Sequence, residues 1–167
     1  MFRRFIKWIR SFFVSNVELN RDESVRKIGM QSIDYHPKII LAWVQGLEGN
    51  IEILSWLKEN GYEELVYASS AIHLRKEARE WLMDNGYPQL MALINASEGN
   101  KNALQWLKIN KMDVLYYMAL AIDNDIKGWE WLKKNSSEDI FLLAKTINTI
   151  KNGIEERHND IHSYGID

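Results

Sequence analysis

Four histidines, His36, His73, His158 and His162, are the first side chains to test for chemistry. His158 and His162 stand four residues apart, a spacing that turns both rings to one side of a helix, with Glu155 or Asp160 in reach as a third ligand. Such a pair near a chain end arises readily by chance, so no metal and no cofactor is expected. His73 shares a 25-residue register with Glu48, Glu98, Asp123 and Asn148, which reads as a solvated polar edge. The chain has no cysteine. That removes disulfides, thiolate ligands and thiol nucleophiles, gives an oxidising compartment no support, and points to the cytoplasm. No glycine-rich phosphate loop, nucleophile elbow or paired-carboxylate arrangement is legible in the sequence. No catalytic residue is assigned, and a non-enzyme is expected, with a cryptic enzyme as an alternative.

Charge narrows the partners. The 167 residues carry a formal net charge of −2. Residues 1–14 hold Arg3, Arg4, Lys7 and Arg10 with no acid, which leaves −6 on the remainder. An acidic body argues against nucleic acid, whose binding needs clustered Lys and Arg. Phe2, Phe5, Ile6, Ile9, Phe12 and Phe13 fall at helical spacing among those cations. Residues 1–14 therefore read as a basic amphipathic helix, with Arg3, Arg4, Phe5, Lys7, Trp8 and Arg10 as its contact set. It can cap the first repeat, dock on a partner or a second copy, or lie on an anionic membrane surface. It is too short and too charged to span a bilayer.

The elements that must position any site come from a repeat. Trp56-Leu57, Trp81-Leu82, Trp106-Leu107 and Trp131-Leu132 recur every 25 residues, followed by Asn60, Asn85, Asn110 and Asn135. A fixed period of this size marks a helical repeat array. In the same register, first helices begin near Lys38, Glu63, Pro88, Asp113 and Glu138, mostly acids or proline suited to a first turn. Ile40, Leu65, Leu90, Leu115 and Ile140 head an i, i+3, i+4, i+7 apolar stripe. Gly46, Ala71, Ala96, Ala121 and Thr146 form a column of small residues, where helices are expected to cross closely. Turns at Gly49-Asn50, Leu74-Arg75, Gly99-Asn100 and Asn124-Asp125 lead into second helices, which carry the Trp-Leu pair as core. Asn60-Gly61 and Asn85-Gly86 stop those helices through left-handed conformations, with Asn taking that role where Lys111 and Ser136 replace glycine.

The run from Glu48 to Gly61 resembles the second half of an ankyrin repeat. Gly49-Asn50 corresponds to the family's turn, Trp56-Leu57 to its leucine pair and Asn60-Gly61 to its terminating glycine, and Glu98-Gly99-Asn100 with Trp106-Leu107 repeats the pattern. The resemblance covers about residues 37–135. No unit has the Thr-Pro-Leu-His box, and the period is about eight residues short of the 33 of ankyrin arrays. The resemblance implies a stack of bare helix pairs that recognises proteins on its concave face.

The expected fold is all-α: a right-handed α-solenoid of four to five antiparallel helix pairs behind an N-terminal amphipathic helix. The expected divisions are that helix at 1–14, a connection and degenerate N-terminal cap at 15–36, the repeat domain at 37–158 and a tail at 159–167. A short helix is expected around Val25 to Ile33. The fifth unit is expected to keep its stripe and to place Glu156-Arg157 where Trp-Leu belongs, as a polar end cap. The expected function is a non-enzymatic protein–protein interaction module, with a membrane adaptor recruited through residues 1–14 as the alternative. The groove is expected at columns two and five residues after Ile40, with Tyr67, Asn95, Tyr117 and Leu120 contacting the partner.

Overall fold

The computed structural model describes residues 30, 31 and 33–163. Residues 1–14, and the expected helix over 25–33 as far as residue 29, lie outside the described residues; 30, 31 and 33–36 are not helical. The helices are α1 (Pro37–Leu47), α2 (Ile51–Glu59), α3 (Glu63–Ile72), α4 (Lys76–Asp84), α5 (Pro88–Ser97), α6 (Lys101–Ile109), α7 (Asp113–Ile122), α8 (Ile126–Asn135) and α9 (Glu138–Ser163). No strand occurs among the described residues. Each helix packs against its neighbours in sequence order, the arrangement of a helical repeat.

Short sequence signals set these boundaries. Pro37 and Pro88 open α1 and α5, where the missing N–H is not needed. Asn50, Asn100 and Asp125 cap α2, α6 and α8 by accepting from backbone N–H groups of the first turn, such as Ile53 N at 3.2 Å and Lys127 N at 2.9 Å. The asparagine after each Trp-Leu pair works differently from the expectation. Asn60, Asn85 and Asn110 stay at negative φ, and only the residue that follows turns left-handed: Gly61, Gly86 and Lys111. The asparagine Nδ2 instead donates to the tryptophan carbonyl four residues back, at 2.8, 2.8, 2.8 and 2.9 Å for Asn60, Asn85, Asn110 and Asn135. It satisfies one of the carbonyls a helix end leaves open.

The core belongs to the leucines. Leu57, Leu82, Leu107 and Leu132 are each 0% exposed. The tryptophans are not fully core: Trp56 is 43% exposed, and Trp81, Trp106 and Trp131 are half-buried. An indole one residue from a fully inward leucine points along the flank of the helix, not at its centre. The small column behaves as expected, since Gly46, Ala71, Ala96, Ala121 and Thr146 are all buried. Its close approach is sharpest where Gly128 of α8 meets α7: a Cβ there would stand 2.2 Å from Ala121 N and 2.7 Å from Tyr117 O.

The array also closes. First helices α1, α3, α5, α7 and α9 contact one another in that order, and α9 packs back against α1. The central helix α5 is buried at every position from Pro88 to Ser97, including Ala92 at 0% and Asn95 at 4% exposed. At α5 the two columns expected to face an open concave groove are therefore inside. The fifth unit differs too. No turn forms at Thr149-Ile150, and α9 runs unbroken from Glu138 to Ser163. Gly49, Leu74, Gly99 and Asn124 all take positive φ at this register position. Thr149 is β-branched and resists that conformation, so the helix continues.

Candidate functional site

The expected partner residues sit in different surroundings. Tyr67 is half-buried and stacks on Trp81, with ring centroids 4.0 Å apart and planes 11° apart. Tyr117 does the same with Trp131 at 4.3 Å and 8°, and meets Tyr116 edge-on at 5.1 Å. The alternate units carry Ala42 and Ala92 at that register position, and Trp56 stacks instead on Tyr62, with ring centroids 6.5 Å apart. Tyr67 and Tyr117 thus join the first and second helices of their own unit, and offset stacking of this kind adds to area burial. Leu120 is half-buried, and Asn95 lies inside. Tyr117 and Leu120 stand three residues apart on α7, while Tyr67 and Asn95 belong to α3 and α5.

What the structure does assemble is a cleft at the C-terminal ends of α3, α5 and α7, walled on one side by the second half of α9. Its volume is about 390 Å³, within the range of ligand-sized pockets. Ile72, Leu74, Ile94, Ile122, Ile147 and Ile154 form its apolar wall, and Ser97, Glu98, Lys151, Glu155, His158 and Asn159 its polar rim. The register that read as a solvated edge becomes a bonded seam here. Arg79, 6% exposed, donates to Ala71 O at 3.0 Å and to both Glu98 oxygens, tying α4 to the ends of α3 and α5. Its register mates are Leu54, Leu104 and Trp129, so this arginine replaces an apolar side chain to make the tie. Lys151 Nζ donates to Asp123 Oδ1 at 2.6 Å and stands 3.5 Å from Glu155. Asn148 Nδ2 donates to Ile122 O at 2.9 Å.

Most polar atoms of the rim are therefore engaged within the fold. Ser97 Oγ donates to Leu93 O, and His158 Nδ1 lies 3.1 Å from Ile154 O. No group of three metal-ligating side chains occurs among the described residues, and the side chain of His162 lies outside them. None of the described helices is long and apolar enough to cross a membrane. Away from the cleft, Tyr35 donates to Glu64 Oε1 at 2.8 Å. Burial, reinforced by this bond to the Glu64 carboxylate, holds the Tyr35 phenol well above the usual tyrosine range, and burial together with Glu64 raises Tyr87 as well.

Sequence reasoning missed the cleft because Lys151, Ile154, Glu155, His158 and Asn159 of its lining come from the part of α9 read as a polar end cap and a tail. One signal was present. Leu74-Arg75 occupies a turn that elsewhere carries Gly or Asn followed by Asn or Asp. Compared with family models, curated proteins and solved structures, the chain matches none of them.

Proposed function

We propose that this chain is a non-enzymatic protein-interaction module, an ankyrin-like array of bare helix pairs working in the cytoplasm, which holds its partner at the cleft beside α9. The observation that carries the reading is the cleft wall: six aliphatic side chains above a rim whose polar groups mostly bond one another. Such a wall suits an apolar anchor from another protein. The test uses the intact chain as bait beside Ile154→Glu, a substitution at the half-buried lip of the cleft. A partner captured by the wild type and lost by Ile154→Glu supports the reading. Capture unchanged by Ile154→Glu but weakened at least tenfold by Tyr117→Ala with Leu120→Glu moves the site to the stacked-tyrosine face. The membrane-adaptor alternative is favoured by the basic amphipathic pattern of residues 1–14. It predicts co-sedimentation with anionic liposomes that is abolished when residues 1–14 are deleted.

A further inference from the structure

One residue of the cleft wall is a poor choice for the backbone it occupies. Gly49, Leu74, Gly99 and Asn124 hold the same turn position, with φ of 101°, 66°, 85° and 67°. Glycine reaches this region freely and asparagine tolerates it, whereas a leucine Cβ crowds the backbone there. The next residue departs as well. Asn50, Asn100 and Asp125 cap the following helix, while Arg75 makes no side-chain cap. Leu74 is 48% exposed, so burial compensates for only part of the strain. A strained, half-exposed apolar side chain on a pocket wall points to contact with a ligand.

Charge supplies the second observation. Glu98 is taken by Arg79, and Lys151 is closer to Asp123 than to Glu155. Glu155 keeps a side chain 56% exposed beside its pair with Lys151, against 33% for Glu98, and apart from His158 the lining holds two carboxylates against one ammonium. We infer that the cleft takes an aliphatic side chain of a protein partner flanked by a basic residue, with Leu74 as its apolar contact and Glu155 as its ion partner. This rests on the interaction-module reading and names the chemistry of the partner.

The test selects displayed random dodecapeptides on the intact chain, then titrates the enriched peptides against wild type, Leu74→Gly, Leu74→Asn and Glu155→Gln. The selected sequences should carry Leu, Ile or Val beside Lys or Arg. Leu74→Gly and Leu74→Asn should weaken binding at least tenfold, and Leu74→Gly should raise the Tm by about 2–4 °C, the size expected from relieving this strain in a chain of this length. Glu155→Gln should weaken binding several-fold and flatten its salt dependence. Enriched peptides that bind both Leu74 variants and Ile154→Glu as well as wild type would overturn the cleft assignment and leave the module reading standing. Enrichment of acidic peptides overturns the charge assignment, and a selection that enriches nothing overturns both readings.

Discussion

Within each Trp-Leu pair the two residues have separate roles. The leucine is sealed, while the tryptophan lies along the helix flank, where Trp56, Trp81 and Trp131 each stack on a tyrosine. Leu82→Ala should therefore cost about 2–5 kcal/mol, the range for a fully buried leucine. Trp81→Ala, half-buried between Tyr67 and Tyr87, should cost no more than that. Chemical denaturation of the two variants checks the order, and a much larger loss at Trp81 would make the indole the true core residue. Titration gives a second prediction at this scale. Tyr35 is held neutral by burial and by its bond to Glu64, so its folded pKa exceeds the value of about 10 in the unfolded chain. A raised folded pKa stabilises fully below pH ~10, and that contribution is lost as the pH climbs above it, because the unfolded chain then releases a proton that the fold retains. Unfolding free energy should fall between pH 9 and 11, and less so in Tyr35→Phe. Equal slopes in the two proteins would exclude Tyr35 as the source.

At the scale of the element, side-chain size decides how each pair of helices sits. Gly128 lets α8 rest directly on the backbone of α7, at a register position where other units carry Ile53, Ala78 and Ala103. Gly128→Ala should destabilise despite alanine's better helix propensity. Propensity favours alanine by about 1 kcal/mol, but a Cβ 2.2 Å from Ala121 N must push the two helices apart. A Tm equal to or above wild type would show that the interface yields easily. The helix starts at Glu63, Pro88, Asp113 and Glu138 were legible because a proline or acid at a first turn acts within a few residues. The continuation of α9 was not, because the register set a separate second helix through Glu156-Arg157, and so a break before it near Thr149. Only the positive φ shared by the four real turns shows why threonine there fails to make one.

For the whole molecule, α9 is what turns a strip of helix pairs into a closed unit. It packs on α7, touches α3 and returns to α1, and it brings Lys151 to Asp123 and Asn148 to Ile122 O. Truncation after Asn148 should remove one wall of the cleft and lower the Tm by more than 5 °C. It should also broaden the melt, since arrays without a closing contact unfold from their ends. A sharp transition at the wild-type temperature would show that α9 beyond Asn148 is dispensable.

The sequence by itself determined the all-helical class, the helix starts, the 25-residue unit and the leucine core. Each of these follows from periodicity and from caps that act over one to four residues. Tertiary structure alone decided that α5 is buried on every side and that Tyr67 and Tyr117 lie against Trp81 and Trp131. It also decided that a cleft opens where three helix ends meet α9. Those facts depend on how small rotations between units accumulate around the array until its ends meet. No single 25-residue window holds that sum.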